Sequence, residues 1–192
     1  MTFARPERLN AFADGVFAVI ITVLVLDLRP PEGADLGALL SLWPAAASYA
    51  VSYLFVAIVW VNHHHLLRYA EQATPRLIWS NFAHLFSMSL LPFATAWIAD
   101  TRLAALPVAV YAAVFFLVNA TYLALCYEVV DRSNAPEVTP PMRRNMRVRS
   151  VLTLAIFGAA AALALAYPIG GMGLICLCLA LYLRPEAPGV KA

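Results

Sequence analysis

Six long apolar runs divide this chain, and each is close to the length at which a helix crosses a lipid bilayer. A crossing takes about 20 apolar residues, because a helix rises about 1.5 Å per residue through about 30 Å of hydrocarbon. Of the 192 residues, 62% are hydrophobic and only 12% are charged, which is about half the charged share of a soluble domain. The sequence therefore predicts an all-α polytopic membrane protein, one six-helix domain over residues 1–192, with spans at 9–28, 44–67, 77–98, 104–127, 148–167 and 169–183.

The positive charges fall almost entirely on one side of the predicted membrane. Of the 13 Lys and Arg residues, 2 lie in loops on one side, Arg29 and Arg102, and 11 lie on the other. Positive charge is enriched on the cytoplasmic side, so both termini are expected in the cytoplasm. The cytoplasmic residues 131–149 are expected to form a polar linker at anionic lipid headgroups. The 11 Lys and Arg residues on the expected cytoplasmic side are Arg5, Arg8, Arg68, Arg76, Arg132, Arg143, Arg144, Arg147, Arg149, Arg184 and Lys191.

The first span carries charges where a membrane anchor would have none. Arg8 lies at its start, Asp14 one and a half turns in, and Asp27 at its far end. A charge within hydrocarbon costs about 2.5–3.5 kcal/mol on insertion scales, so such residues face protein or water. Five residues between these charges recur at spacings of three and four, which places them on one face of the helix. This face has one hydroxyl between bulky apolar side chains and suits a narrow ion path; its residues are Phe12, Gly15, Val19, Thr22 and Leu26.

The second span ends in three consecutive histidines, His63, His64 and His65. Consecutive helical residues point about 100° apart, so at most two of these could share a metal ion, and no Glu-x-x-His pattern or paired cysteine supplies further ligands. We therefore expect no metal site. Instead, one or two imidazoles are expected to hydrogen-bond polar groups at the same depth on neighbouring helices. The candidate partners are Arg8, Asp14, Asn62 and Asn81.

No set of residues in the chain resembles a catalytic site. The sequence has no Gly-rich phosphate loop, no Ser or Cys nucleophile with a plausible base, and no carboxylate pair within one predicted helix. We therefore do not expect an enzyme. The third span contains Pro92, which is expected to kink that helix because proline has no N–H to donate.

The pattern Arg8-x-x-x-Phe12-Ala13-Asp14, followed by an apolar run that contains Thr22, resembles the first-helix signature of the transmembrane protein 175 family of potassium channels. The likeness is to the short prokaryotic members, where the signature is Arg-x-x-x-Phe-Ser-Asp. The end of the second span, from Trp60 through the histidines, and the Leu-Leu-Pro-Phe stretch of the third are also similar. The resemblance covers the first half of the chain well and the second half only in its number of spans.

The resemblance implies a potassium-selective cation channel in a prokaryotic plasma membrane, a homotetramer that conducts passively through a central pore lined by the first helices. In that family, bulky apolar side chains form the constriction and a threonine contributes to selectivity. The matching constriction residues here are Val19, Val23 and Leu26, and the matching threonine is Thr22. A ring of Asp27 side chains would concentrate cations at the outer mouth. The residues implied in an intrasubunit polar brace are Arg8, Phe12, Asp14, Asn62, His63, His64 and Asn81.

Two departures from the family pattern change these expectations. Ala13 stands where the signature has serine, which removes a hydroxyl from the brace. Val19 is smaller than the isoleucine or leucine common at the constriction, so a wider or leakier pore is expected.

The expected partners are lipid, potassium ions as the permeant species and three further copies of the chain, with no cofactor and no nucleic acid. Two other functions remain open. One is a small-solute transporter, which would place its site near the midplane and often contains inverted repeats. The other is a non-conducting structural membrane subunit whose charges only stabilise the fold.

Overall fold

The computed structural model describes residues 6–132 and 138–182, and those residues form helices joined by short loops, with no β-strand among them. Within these ranges, five stretches are long and apolar enough to cross a membrane, and a sixth helix is apolar but shorter. The all-α polytopic architecture is confirmed. The predicted span end at residue 183 and the charges of Arg5, Arg184 and Lys191 lie outside the described residues. The helices are α1 (Pro6–Leu26), α2 (Leu36–Ser41), α3 (Trp43–Leu67), α4 (Pro75–Ser89), α5 (Leu91–Asp100), α6 (Ala105–Cys126), α7 (Pro140–Ala164) and α8 (Pro168–Tyr182), with a π-helical turn at Tyr127–Asp131.

The loop after α1 leads into the short helix α2, which begins because Asp35 caps it. The Asp35 carboxylate accepts a 2.7 Å hydrogen bond from the backbone N–H of Ala38, which satisfies a donor that the first helical turn leaves free. The leucines of α2 are exposed. Helix α3 follows almost at once, with Pro44 in its first turn, where a missing N–H costs nothing.

Helices α4 and α5 form one membrane-crossing stretch with a break at Leu90. The N–H of Leu90 donates to the carbonyl of Ser87 at 3.3 Å, a three-residue step instead of the four-residue step of an α-helix. Pro92 in the first turn of α5 explains the break, since it cannot donate to the preceding turn. The kink expected at Pro92 is therefore present as a change from one helix to the next.

Helix α7 begins at Pro140, eight residues before the predicted start of the fifth span, so the interpretation of residues 131–149 as a linker was wrong for their second half. The charged residues that favoured a linker instead form contacts between this helix and the preceding turn. Arg147 forms an ion pair with Asp131 at 2.7 Å, and Arg143 donates to the Asp131 carbonyl at 2.9 Å. These contacts stabilise an amphipathic extension of the span at the membrane surface.

Helix α6 lies at the centre of the bundle, in contact with α4, α5, α7 and α8. Helices α7 and α8 approach closely because small residues face each other where they cross. A Cβ added to Gly171 would lie 2.7 Å from the Cβ of Ala164 and 2.9 Å from the carbonyl of Ala160. Such small residues let two membrane helices come within backbone contact.

Helix α1 lies at the side of the bundle. It packs chiefly on α3, with fewer contacts to α4 and α5. The main hydrophobic core extends across α1 and α3–α8. In α1, it includes Phe17, Ile20 and Leu24. One helix of the subunit is therefore supported mainly from one side, and its remaining surface is free of contacts with α6, α7 and α8 beyond isolated ones.

Candidate pore face and polar brace

Helix α1 separates its buried residues from a second, apolar face that is largely exposed in the subunit. Leu9, Ala13, Phe17, Ile20 and Leu24 are buried at steps of three and four residues, the period of a helix face that packs on neighbours. The residues of the other face are exposed, and Val19 and Leu26 keep 60% and 78% of their surface accessible. The exposed face consists of Phe12, Gly15, Val19, Thr22, Val23 and Leu26.

The residues expected to line a pore all lie on this exposed face, which we call the α1 stripe. Val19, Thr22, Val23 and Leu26 occupy its second half, and Asp27 follows directly after the last residue of α1 and is exposed. At Gly15, a Cβ would meet no atom within 4 Å. The stripe is therefore an apolar surface, and no other atom of the subunit lies close to it at Gly15.

The hydroxyl of Thr22 donates a 2.7 Å hydrogen bond to the carbonyl of Val19 on the same helix. This bond is common for hydroxyls in membrane helices. It uses the only hydrogen of the hydroxyl, and the oxygen keeps acceptor lone pairs. Thr22 thus supplies the stripe with an oxygen whose hydrogen points to the backbone.

Asp14 is held by Trp60, a residue outside the expected brace. The indole Nε1 of Trp60 donates a 2.8 Å hydrogen bond to Oδ1 of Asp14, which joins α3 to α1. The same indole stacks on the ring of His64, with ring centroids 5.6 Å apart. The structure therefore brings Asp14 and His64 to the same side chain, and no described Lys or Arg residue forms an ion pair with the carboxylate.

His63 and Asn81 form a buried pair between α3 and α4. His63 Nε2 and Asn81 Oδ1 are 2.7 Å apart, and both residues have no accessible surface. Phe17 of α1 meets the His63 ring edge-on at a centroid distance of 5.5 Å. On its other side, His63 stacks parallel to His84, with centroids 5.7 Å apart. Three helices are thus connected through one imidazole.

The remaining brace candidates lie nearby but do not join this pair. Arg8 is exposed, and its guanidinium makes no hydrogen bond or ion pair with any other described residue. Phe12 meets Phe82 of α4 edge-on at 5.5 Å. Asn62 contributes its backbone carbonyl, which accepts a 3.2 Å hydrogen bond from the Tyr122 hydroxyl. Ala13, where the family signature has serine, is fully buried.

Sequence reasoning missed two members of this cluster, Trp60 and His84. His84 lies three residues after Asn81, a spacing that places both side chains on the same face of α4. Its Nδ1 is 3.2 Å from the hydroxyl of Thr121 on α6. Trp60 lies four residues before His64, so the same rule links the two on α3. Helical spacing was thus a signal available in the sequence for both residues.

The histidines do not converge on a metal position. Within residues 6–132 and 138–182, no group of three His, Cys, Asp or Glu side chains could hold a metal ion. His63 faces Asn81, His64 lies on Trp60, and His65 is 3.4 Å from Arg68. Their divergence follows from the 100° step between neighbouring helical residues.

The bundle and the two faces of α1 define an all-helical integral membrane protein whose first helix leaves one apolar face exposed. A sequence profile described as "Endosomal/lysosomal potassium channel TMEM175" matches residues 8–92. The chain is 31% identical to a Chryseobacterium protein named a potassium channel, over 93% of both chains. It is 34% identical to a Streptomyces collinus protein with the same description, over 76% of this chain and 75% of the other.

A solved structure has the same fold. The crystal structure of a lysosomal potassium-selective channel TMEM175 homolog from Chamaesiphon minutus aligns with a TM-score of 0.82 and 26% identity, over 95% of this chain and 98% of that chain. The chain belongs to the TMEM175 family, as the first-helix signature predicted. The match extends through the second half of the chain, where the sequence patterns alone supported only the number of spans.

Proposed function

We propose that this protein is a passive, potassium-conducting channel, a homotetramer whose four α1 helices surround a central pore. The observation that carries the proposal is the α1 stripe, a continuous apolar face that stays exposed although the opposite side of the helix is packed. One helix cannot enclose a path for ions, so a closed ring of identical subunits is required. The names of the Chryseobacterium and Chamaesiphon relatives support potassium as the permeant ion.

In such a ring, Val19, Val23 and Leu26 form the constriction. Valine and leucine offer no oxygen to a passing ion, so the ion must keep water above and below them, and a narrow apolar ring closes when it loses its water. The small Val19 side chain leaves more room at its level than isoleucine or leucine would. The constriction is therefore expected to be tightest at Leu26, the most exposed residue of the stripe.

Thr22 is the selectivity residue in this proposal. Four Thr22 oxygens would lie between the Val19 and Leu26 rings. Because each hydroxyl hydrogen is bound to the Val19 carbonyl, its lone pairs are available to a cation. Weak oxygen ligands favour potassium over sodium, since potassium gives up its hydration shell at lower cost.

The brace holds α1 in the orientation that presents the stripe. Its described contacts lie on the sides of α1 that face α3 and α4, and none involves Val19, Thr22 or Leu26. We assign it a structural role in place of ion binding. Arg8, which makes no hydrogen bond or ion pair with another described residue, is left out of the proposed brace. The proposed members of the brace are Phe12, Asp14, Asn62, His63, His64 and Asn81, together with Trp60 and His84.

The orientation follows from the distribution of positive charge. With 11 of 13 Lys and Arg residues on one side, we propose that both termini lie in the cytoplasm and that Asp27 lies at the outer mouth. Four Asp27 carboxylates there would raise the local cation concentration. The membrane is proposed to be a prokaryotic plasma membrane, because similar potassium channels come from bacteria.

Purified protein in liposomes tests this function directly. We expect flux of potassium in preference to sodium, and a mass in mild detergent equal to four chains of 20.9 kDa. Leu26→Trp should block flux by filling the axis, whereas the matched Val25→Trp, one residue off the stripe and also exposed, should leave it open. A folded tetramer without flux would make the protein a structural subunit, and saturable uptake of a small solute would make it a transporter.

A further inference from the structure

A cleft opens at the end of the bundle where α4 begins and α6 ends, far along the chain from the α1 stripe. It has a volume of about 650 Å³, within the size range of small-molecule sites. Its walls come from the first turns of α4, the end of α6 with the π-helical turn, and the start of α7. No residue of α1 lines it, so the cleft is separate from the proposed pore.

The acidic residues of the cleft are already paired. Asp131 is held by Arg147 through two contacts, at 2.7 Å and 3.0 Å. Glu128 is held by Arg132 at 3.0 Å, four residues further along. The remaining charge of the cleft is Arg76, which is exposed and makes no ion pair with another described residue. The cleft thus presents one available cation and no available anion.

A hydroxyl lies next to this cation. Ser80 is one helical turn after Arg76 on the same face of α4, and both residues line the cleft. The Ser80 Oγ is buried and has no hydrogen-bond partner among the described residues. Buried polar atoms are rarely left without a partner, because the lost hydrogen bond to water is not replaced. A ligand with acceptor oxygens at Arg76 would satisfy Ser80 as well.

The other wall of the cleft is apolar and continues onto the membrane-facing surface. Leu123 and Val151 line it together with small residues of α6. Val151 is 56% exposed, and the next residue, Leu152, is 57% exposed, so the wall leads directly to side chains that face hydrocarbon. Tyr127, also exposed, lies at the mouth, where aromatic side chains of membrane proteins meet the headgroup layer.

We propose that this cleft binds an anionic phospholipid, with its phosphate at Arg76 and Ser80 and the upper part of an acyl chain against Leu123 and Val151. A soluble anion would use the arginine but gain nothing from the apolar wall. A neutral lipid would use the wall but leave the charge of Arg76 unmatched. The cleft lies on the side of the membrane that carries the excess of arginine, and anionic lipids are enriched in the cytoplasmic leaflet.

Native mass spectrometry of the full-length protein in mild detergent tests this proposal without any measurement of ion flux. Phosphatidylglycerol and phosphatidylcholine of equal chain length are titrated separately. Phosphatidylglycerol should be retained preferentially, and Arg76→Gln should weaken its apparent affinity about tenfold, as expected for the loss of a hydrogen bond to a charged group. Val151→Trp, which fills the wall, should weaken both lipids, and Arg76→Lys should retain most of the preference.

Arg144→Gln is the matched control, because Arg144 is exposed on the same end of the bundle and does not line the cleft. A loss of less than about threefold for this variant is expected, since only diffuse attraction is removed. Equal losses for Arg76→Gln and Arg144→Gln would overturn the proposal in favour of general attraction to the arginine-rich surface. Competition by inorganic phosphate, or equal retention of both lipids, would overturn it as well.

Discussion

The indole of Trp60 donates a 2.8 Å hydrogen bond to the carboxylate of Asp14, and this bond joins α3 to α1. The neutral indole gives Oδ1 of Asp14 a hydrogen-bond donor inside the span, whereas the Arg8 guanidinium is exposed and pairs with no other described residue. The two signature charges therefore have different roles within one subunit.

The first prediction separates these two roles. Trp60→Phe and Asp14→Ala should each destabilise the protein by about 0.5–1.5 kcal/mol, the range for a hydrogen bond of this kind in a membrane protein. The double variant should lose less than the sum, because both changes remove one interaction. Arg8→Gln should stay within about 0.5 kcal/mol of the wild type. Unfolding in detergent measures all four, and an additive double variant would contradict the assignment.

The second prediction concerns conduction along the α1 stripe. Thr22→Ala should lower the potassium-over-sodium permeability ratio about 2- to 10-fold, as expected from losing a weak oxygen ligand. Leu26→Ala should raise leak current by widening the apolar ring. Asp27→Asn should reduce current mainly at low salt, where surface charge is least screened. Reversal potentials in planar bilayers measure these effects, and unchanged values for all three would remove α1 from the pore.

The third prediction uses Gly15 as a probe of neighbouring subunits. A Cβ there meets no atom of its own subunit within 4 Å, and alanine favours a helix by about 1 kcal/mol over glycine. Gly15→Ala should therefore keep or raise the stability of the subunit while reducing current, because the added methyl projects toward the axis. Thermal unfolding and single-channel recording on the same preparation check this. Unchanged current would place the Gly15 end of the stripe outside the narrow part of the path.

The fourth prediction tests the crossing of α7 and α8. Gly171→Ala places a Cβ within 3.0 Å of Ala160 and Ala164 atoms and should destabilise the bundle by about 1–3 kcal/mol. Gly173→Ala is the matched control on the same helix, where a Cβ meets nothing within 4 Å. Equal stability of the two variants would mean that the helices separate at little cost.

The fifth prediction concerns orientation. In a background with Cys126, Cys176 and Cys178 replaced by alanine, single cysteines at Gly33 and Arg144 should react with a membrane-impermeant thiol reagent from opposite sides. Gly33 should be labelled in intact cells and Arg144 only after the membrane is opened. Labelling of both from one side would contradict the six-span topology.

The all-α membrane architecture could be predicted because long apolar runs by themselves indicate helices that cross a bilayer. The α1 stripe could be predicted because its residues follow one helical period. The start of α7 could not, since the contacts of Arg143 and Arg147 there are made with Asp131, which lies outside the helix in the preceding turn. The polar side chains at those residues indicate a loop when the sequence is read alone. Their contacts with Asp131 are visible only in the three-dimensional structure.

The partners within the brace were also beyond sequence reasoning. Which of several polar groups reaches Asp14 depends on how far α3 is rotated against α1, and that rotation is set by packing over the whole length of both helices. The pairing of His63 with Asn81 was among the expected contacts and is present. The choice of Trp60 for Asp14 was not, because an aromatic side chain at a helix end is more often assigned to the membrane interface.

The two faces of α1 share a helix but no residue. Substitutions among Val19, Thr22 and Leu26 touch none of the side chains that pack on α3, so their effects on conduction and on folding should be nearly independent. Ala13 lies on the other face of α1. The family signature has serine at this position, and the serine hydroxyl would lie on the packed side of the helix, where Ala13 is fully buried. In the proposed pore, substitutions on the exposed face could therefore change which ion passes at little risk to the membrane fold.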